Sequence, residues 1–211
     1  MFSIVIPLYN KENSIQSTLK SILSQTYQKF EIVVVDDGST DSSAEKVLEI
    51  FDERIRLIRK ENGGVCSARN RGIKEAKYDY IALLDADDTW DENYLNEQVK
   101  MINDYPNAKM WGINYAEMSN GELARYLPTG LSENFRGYVE DYFYIKKKPL
   151  NSYLPISGHK KILAIFYFRF TLSSTFRCLT SVFGMGTGEP PSYFHQYIFN
   201  INYFSSSLKT R

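Results

Sequence analysis

The sequence predicts a Rossmann-like α/β fold with a mostly parallel sheet flanked by helices. Two observations lead to this prediction. Short apolar runs rich in Ile and Val alternate with segments whose apolar residues recur at helical spacing. Most of these runs end in a polar loop rich in Asp, Asn, Gly or Ser. Right-handed crossovers would bring these loops to one edge of the sheet, where open α/β sheets bind ligands.

The first two strands are predicted over residues 3–8 and 30–35, which are continuous apolar runs typical of strands buried on both faces. Between them, a first helix is predicted from apolar residues at helical spacing: Ile15, Leu19, Ile22 and Leu23. A second helix follows the loop 36–41, and the capping-box pair Ser42 and Glu45 marks its start. Its apolar stripe comprises Ala44, Val47, Leu48 and Phe51.

Two further strands are predicted around Ile55–Ile58 and over residues 80–84. The helix between them follows the turn 62–64 and runs through Ala68 and Ile73 to Ala76. Asp91 is the expected N-cap of a fourth helix, whose apolar residues are Leu95, Val99 and Ile102. A fifth strand is predicted over 110–115. From 117 to 158, glycine and proline interrupt the pattern, which predicts an irregular segment around the pocket.

The composition limits the classes of function. The chain of 211 residues carries 25 basic and 25 acidic residues, and a net charge of zero argues against a nucleic-acid partner. The only cysteines, Cys66 and Cys178, have no paired spacing, so neither a disulfide framework nor a zinc site is expected. The start of the chain lacks the pattern of a signal peptide. We therefore expect a cytoplasmic protein.

Charge is distributed unevenly along the chain. Residues 1–158 hold 19 Lys/Arg and 24 Asp/Glu, whereas residues 159–211 hold six Lys/Arg and a single acid, Glu189. The latter segment is also crowded with Phe, Tyr, Ser and Thr. We predict a ligand-binding domain over 1–158, followed by a basic, aromatic-rich tail over 159–211.

The most informative stretch is Asp-Ala-Asp-Asp at residues 85–88, directly after the fourth predicted strand. Carboxylates at that edge of the sheet repel one another unless a cation or hydrogen-bond donors neutralise them. A hard divalent ion that carries a phosphate would suit Asp85 and Asp87. A solvated acidic turn is the alternative.

Three other residues at the same edge have complementary chemistry. Tyr9 can offer an aromatic face to a flat base, and Asp37 can accept a hydrogen bond from an N–H of that base. Arg69 offers a cationic fork suited to a phosphate or to acidic surroundings. Each also has an ordinary structural interpretation: packing for Tyr9, a turn for Asp37 and a surface helix for Arg69. The functional interpretation depends on the joint occurrence of these residues with the acidic segment. Together they indicate a site for a nucleoside diphosphate and its cation.

Several motifs, in order, resemble the family 2 glycosyltransferases over roughly the first 115 residues. They are Ser-Ile-Val-Ile-Pro-Leu-Tyr-Asn at 3–10, Ser-Gln-Thr at 24–26, Glu-Ile-Val-Val-Val-Asp-Asp-Gly-Ser-Thr-Asp at 31–41, Asn-Gly-Gly at 62–64, Ala-Arg-Asn-Arg-Gly at 68–72 and Leu-Asp-Ala-Asp-Asp at 84–88. The resemblance implies a GT-A fold and an inverting transfer from a nucleotide-diphospho-sugar to a hydroxyl acceptor. It also suggests cell-surface polysaccharide or glycolipid synthesis, with a glycan or lipid-linked acceptor.

The same resemblance implies a role for each residue of the motifs. Tyr9 would lie against the base, with Pro7 lining its pocket, and Asp37 would bond a base, expected to be uracil. Arg69 would sit beside the base and phosphates, and residues 85–87 would be the DXD element. Asp85 would contact ribose, and Asp87 would bind Mn²⁺ or Mg²⁺ on the diphosphate. Asp88 would stand nearby, as a second acid behind the metal ligand.

The general base is the least defined part of the prediction. The family takes it from the C-terminal part of the domain, about a hundred residues after the DXD element. Glu189 stands at about that distance, and Glu140 and Asp141 are weaker candidates. If the base is missing, the chain would instead be a non-catalytic or impaired nucleotide-sugar-binding module. A nucleotidyltransferase is disfavoured because the first loop, 7–12, lacks a glycine-rich sequence.

The tail leaves three alternatives open. Residues 162–183 are apolar but interrupted by Arg169 and Arg177, which disfavours a membrane span and leaves an amphipathic membrane-surface helix. That alternative predicts peripheral association with the inner face of the membrane. A shifted reading frame after His159 would also explain the abrupt change in composition, and a divergent C-terminus is the third alternative.

Overall fold

The computed structural model describes residues 1–108 and Trp111 with their side chains, and five later strands by their backbone alone. The helices are α1 Ile15–Leu23, α2 Ser43–Leu48, α3 Val65–Glu75 and α4 Tyr94–Asp104. The first five strands are β1 Phe2–Leu8, β2 Phe30–Asp36, β3 Ile55–Arg59, β4 Tyr80–Leu83 and β5 Met110–Ser119. The others are β6 Glu122–Tyr126, β7 Arg136–Val139, β8 Ile156–His159 and β9 Tyr197–Lys209.

The strands form one sheet in the order β3-β2-β1-β4-β8-β5-β9-β7, and β6 pairs with β5. The first four strands of this order are parallel, and β8 joins β4 in the antiparallel sense. The alternation of strands and helices predicted from the sequence is therefore confirmed. The fully irregular segment predicted over 117–158 is wrong where β6, β7 and β8 occur. These short strands pair with others of the sheet: β6 with the adjacent β5, β7 with β9, and β8 with β4 and β5.

The two central strands explain the continuous apolar runs. All seven residues of β1 and all seven of β2 are buried. Ile4 and Ile6 on one face belong to the core that contains residues of α1 and α4, whereas Val5 on the other face belongs to the core formed with α3. Because both faces are covered, no polar alternation remains in the sequence of these strands.

A glycine sets the distance between α3 and the sheet. A Cβ atom built on Gly72 would lie 2.2 Å from Cγ1 of Val5 and 3.3 Å from Cγ2 of Val35. Any larger residue at position 72 would push the helix away from β1.

Two predicted helix starts differ in detail. Ser42 precedes α2 but makes no side-chain cap hydrogen bond, and Glu45 pairs with Arg59 instead, at 3.1 Å. Asp91 is not the N-cap of α4, because Asn93 holds that position and donates its N–H to Asp91 at 2.9 Å. The predicted stripe of α2 also ends early, because the helix stops at Leu48.

Phe51 lies beyond that helix end and is 97% exposed. Gln25 carries part of the capping function of α4, since its Oε1 atom accepts from the Leu95 N–H at 3.0 Å. Periodicity within α4 could not reveal this partner because it lies 70 residues away along the chain.

Candidate functional site

The carboxyl ends of the parallel strands enclose a cleft of about 410 Å³. Four loops contribute to it: those after β1, β2 and β4, and the one that joins β3 to α3. The lining residues are Pro7, Leu8, Tyr9, Lys11, Asp37, Asn62, Gly64, Val65, Ala68, Asp85, Ala86 and Asp87. The loops thus converge as the right-handed crossovers of the sequence prediction require.

The end of β1 supplies Pro7 and Tyr9. The carbonyl of Val5 accepts from Leu84 N–H at 3.2 Å, beyond the last β1–β4 register pair, Val5 and Leu83. Pro7 follows two residues later on the same side, where β4 has ended and no ladder hydrogen bond needs its missing N–H. Tyr9 is 47% exposed, so its ring has a face available to the cleft.

Hydrogen bonds join the loop after β1 to the loop after β2. Asn10 has a φ of 50°, a left-handed conformation that asparagine tolerates. Its side-chain oxygen accepts from Thr40 N–H at 2.9 Å, and its own N–H donates to Ser39 Oγ at 3.1 Å. Burial acts to raise the pKa of Asp41, but hydrogen bonds led by those from Ser43 outweigh it and hold that pKa below its usual value.

Asp37 is a buried carboxylate at the wall of the cleft, 2% exposed. Its Oδ1 atom accepts from Gly63 N–H at 3.0 Å and forms an ion pair with Lys60 Nζ. Both donors contact the same oxygen, so the carboxylate can keep them while Oδ2 accepts a hydrogen bond from a ligand. The backbone N–H of Asp37 donates to Leu8 at 2.8 Å, which fixes the residue beside the end of β1.

The acidic segment 85–87 is anchored by hydrogen bonds from the start of α1. Ala86 is 2% exposed and belongs to the main core, whereas the side chains of Asp85 and Asp87 are 37% and 35% exposed. The Ala86 carbonyl accepts from the hydroxyls of Ser14 at 2.9 Å and Thr18 at 3.0 Å. Anchoring the middle residue in this way leaves the carboxylates on both sides to line the cleft.

Each carboxylate of this segment carries a cationic partner. Arg69 Nη2 lies 2.5 Å from Asp85 Oδ1, and Lys11 Nζ lies 2.8 Å from Asp87 Oδ2. Arg69 reaches the site through Asp85 and is not among the residues that line the described cleft. Arg69 and Lys11 thus reduce the repulsion between Asp85 and Asp87 that the sequence predicts, and Lys60 pairs in the same way with Asp37.

The carboxylates fit a divalent cation by their chemistry. Oxygen ligands are those that Mg²⁺ and Mn²⁺ prefer, and such ions bind through one or two carboxylates plus substrate phosphates. Asp87 already holds a positive charge from Lys11, which indicates that its position favours a cation. Among the described residues, no group of three or more His, Cys, Asp or Glu is arranged to hold a metal ion by itself.

The structure brings together Pro7, Tyr9, Asp37, Asp85 and Asp87, and places Arg69 on Asp85. Their individual roles stay predictions. Glu189, Glu140, Asp141 and the segment 162–183 lie outside the described residues. The boundary predicted between 158 and 159 also stays a prediction; β8 spans this position and β9 pairs with β5.

Sequence reasoning missed two lysines of the site. Lys60 follows β3 directly, and the same convergence rule would have placed it at the edge of the sheet, but the loop was taken to begin at Asn62. Lys11 follows Asn10 in the first loop, where a cation opposite an acidic segment is the signal that could have singled it out.

The family model for glycosyl transferase family 2 matches residues 3–168. The chain belongs to glycosyltransferase family 2. Two curated relatives of this family 2 chain illustrate the similarity. UDP-Glc:alpha-D-GlcNAc-diphosphoundecaprenol beta-1,3-glucosyltransferase WfgD of Escherichia coli is 40% identical over 124 residues, covering 58% of this chain and 49% of WfgD. Glycosyltransferase GlyA of Streptococcus pneumoniae is 41% identical over 105 residues, covering 49% of this chain and 15% of GlyA.

Solved structures show that this family 2 chain has the GT-A fold. S. aureus TarS 1–349 superposes with a TM-score of 0.73 at 20% identity, covering 99% of this chain and 60% of that one. The same protein in complex with UDP-GlcNAc gives a TM-score of 0.70 at 19% identity, covering 100% of this chain and 59% of that one. The chain spans about half the length of WfgD and a smaller share of GlyA. It spans 60% of TarS 1–349.

The membrane association expected from the sequence is not tested by the fold. Within residues 1–108, where all four described helices lie, no helix combines the length and the apolar character that a bilayer crossing requires.

Proposed function

We propose that this chain transfers a sugar from a UDP-linked donor to a hydroxyl acceptor, with inversion at the anomeric carbon and with Mn²⁺ or Mg²⁺ as cofactor. The observation that carries the proposal is the convergence of Tyr9, Asp37, Asp85 and Asp87 on one cleft at the carboxyl ends of parallel strands. A sugar nucleotide offers a base, a ribose and a diphosphate, and the cleft offers a suitable group for each.

The base would lie against the exposed face of Tyr9, with Pro7 at the floor. Asp37 would accept a hydrogen bond from the imide N–H of uracil through Oδ2, the oxygen that its ion pair with Lys60 does not use. Asp85, held by Arg69, would bind a ribose hydroxyl. In these assignments, contacts with the base and the ribose orient the donor before the sugar is transferred.

Asp87 would hold the divalent ion together with the diphosphate. Such an ion neutralises the charge that develops on the diphosphate as it leaves. Asp87 contributes a ligand whose position is fixed through the neighbouring Ala86 carbonyl, and this preorganisation is the protein's share of the electrostatic stabilisation.

The bond changes are those of a single displacement. The acceptor oxygen forms a bond to the anomeric carbon while the bond between that carbon and the diphosphate oxygen breaks, and the electron pair leaves with UDP. A general base takes the acceptor proton. We assign this role to Glu189, which is the only acid of the tail.

The setting proposed is cell-surface polysaccharide or glycolipid synthesis at the cytoplasmic face of a membrane. The name of WfgD specifies a UDP-Glc donor and a diphosphoundecaprenol-linked acceptor, and TarS has been solved with UDP and with UDP-GlcNAc. These relatives support a UDP-linked donor and a glycan or lipid-linked acceptor.

A donor panel tests the proposal. The chain is incubated with Mn²⁺ and UDP-, GDP- or TDP-linked sugars, with and without lipid-linked acceptors, and both nucleotide binding and nucleotide release are measured. We expect binding of UDP-linked donors and release that depends on an acceptor. Glu189→Gln should abolish release and leave UDP affinity unchanged.

Binding without release by the wild-type chain, across the panel, would instead identify the non-catalytic nucleotide-sugar-binding module. Absence of UDP binding would contradict both functions.

A further inference from the structure

Lys11 is a charged residue of the cleft to which the proposed function gives no role. Its ammonium reaches from the loop after β1 to Asp87 in the loop after β4, at 2.8 Å. Its backbone is fixed, because the N–H donates to Ser43 Oγ at 2.7 Å and the carbonyl accepts from Ile15 N–H at 3.0 Å. Only the side chain of Lys11 is therefore free to change partner.

The three ion pairs of the cleft differ in how readily their cation can leave. The side chain of Lys60 is 22% exposed and that of Arg69 is 18% exposed, whereas the side chain of Lys11 is 43% exposed. A half-exposed lysine on a flexible stem exchanges partners at little cost, because water solvates the ammonium during the exchange. Lys11 is therefore the cation of the three whose exchange of partner should cost least.

We propose that Lys11 pairs with Asp87 when neither the divalent ion nor the donor is bound, and that its ammonium transfers to the diphosphate of the donor when the ion takes its place on Asp87. This inference rests on the proposed function, since it takes the donor to be a nucleoside diphosphate and Asp87 to be the metal ligand. Lys11 thereby couples the binding of the metal to the binding of the nucleotide.

The coupling follows from where the ammonium goes. A divalent ion that binds alone must break the ion pair and then sits beside an unpaired ammonium of like charge, which weakens its binding. When a diphosphate is present, the displaced ammonium gains an anionic partner. Metal and nucleotide should therefore strengthen each other's binding, and by thermodynamic linkage the two factors are equal.

The experiment measures binding rather than turnover. Free Mn²⁺ is followed by electron paramagnetic resonance, and UDP binding by calorimetry, each with and without the other ligand. The variants are Lys11→Met, which keeps the stem without the charge, and Lys11→Arg, which keeps the charge. Lys46→Met is the matched control, because Lys46 is 37% exposed and pairs with Glu49 on the surface of α2.

Lys11→Met should bind Mn²⁺ alone roughly 1.5- to fivefold more tightly, since a partly exposed ion pair of this kind no longer opposes the ion. Its UDP affinity without metal should change little, because Lys11 pairs with Asp87 until the ion binds. Its UDP affinity in the presence of Mn²⁺ should fall relative to the wild-type chain, and the mutual enhancement should fall by a similar factor. Lys11→Arg and Lys46→Met should keep the enhancement of the wild-type chain.

Two outcomes would overturn the inference, and they differ in what else they overturn. If the wild-type chain shows the mutual enhancement and Lys11→Met shows it equally, with unchanged Mn²⁺ affinity, Lys11 does not compete with the ion and the proposed function stands. If the wild-type chain binds neither UDP nor Mn²⁺ in any combination, both the inference and the proposed function fail.

Discussion

The Thr18 hydroxyl donates to the carbonyl oxygen of Ala86 at 3.0 Å, across 68 residues of chain. Thr18 is completely buried, and Ser14, the N-cap residue of α1, donates to the same carbonyl at 2.9 Å. Because Ala86 stands between Asp85 and Asp87, these two hydroxyls fix the peptide from which both carboxylates project. Helix α1 thus orients the acidic segment without entering the cleft.

Removing these hydroxyls should loosen the acidic segment. Thr18→Val alone should cost about 1 kcal/mol of unfolding free energy, whereas Ser14→Ala combined with Thr18→Val leaves a buried carbonyl without either hydroxyl and should cost about 1–3 kcal/mol. The double variant should also lower metal-dependent UDP affinity, because both carboxylates lose their fixed positions. Urea unfolding and UDP titration with Mn²⁺ measure the two effects.

Ser24→Ala is the control for that experiment. Its hydroxyl donates to Ser21 at 3.1 Å at the exposed end of the same helix, so both quantities should stay near the wild-type values. A double variant with wild-type stability and wild-type UDP affinity would show that α1 does not position the acidic segment.

Asp37 separates nucleotide binding from metal binding. Asp37→Asn keeps an oxygen for Gly63 N–H but removes the charge that Lys60 pairs with and replaces one carboxylate oxygen by an N–H donor. If Asp37 accepts from the base, UDP affinity without metal should fall by one to two decades, because an unpaired polar group costs about 1–3 kcal/mol. Calorimetry on the folded variant, checked by circular dichroism, gives the answer. Unchanged UDP affinity in Asp37→Asn would show that Asp37 does not bind the base and serves only as a turn residue.

Gly72 tests the close packing of α3 on the sheet. Glycine to alanine in a helix is ordinarily stabilising, by about 1 kcal/mol. Here the added methyl group would overlap Val5, so Gly72→Ala should instead destabilise the fold by about 1–3 kcal/mol. Thermal or urea unfolding decides the sign. Lys74→Ala, at an exposed position of the same helix, should change stability by no more than about 0.5 kcal/mol. A stabilised Gly72→Ala variant would contradict the packing distance.

The sequence could predict the four parallel strands and the edge at which their loops meet, because burial on both faces leaves long apolar runs such as those of β1 and β2. It could also predict that Tyr9, Asp37 and Asp87 face one cleft, since crossover handedness determines where strand ends lie. It could not predict that Lys60 pairs with Asp37 or Lys11 with Asp87. Such pairs depend on side-chain reach between loops that are distant in sequence, and periodicity carries no information on that distance.

The same limit explains the two errors at helix starts. Ser42 and Asp91 have suitable chemistry for N-caps. Local spacing cannot show that Glu45 forms an ion pair with Arg59, or that the side chain of Gln25 accepts from the Leu95 N–H in the first turn of α4. Strands β6 to β9 were not predicted because their pairing partners, and not their own sequence patterns, hold them extended.

The most direct test of the account is the effect of Mn²⁺ on UDP affinity in Asp87→Asn. In the wild-type chain, Mn²⁺ should strengthen UDP binding by about tenfold or more, equivalent to about 1.4 kcal/mol. Asp87→Asn should abolish this enhancement, whereas Asp79→Asn, an exposed acid just before β4, should retain it. If Asp87→Asn retains the full enhancement, the cleft at the ends of the parallel strands does not hold a metal–nucleotide complex.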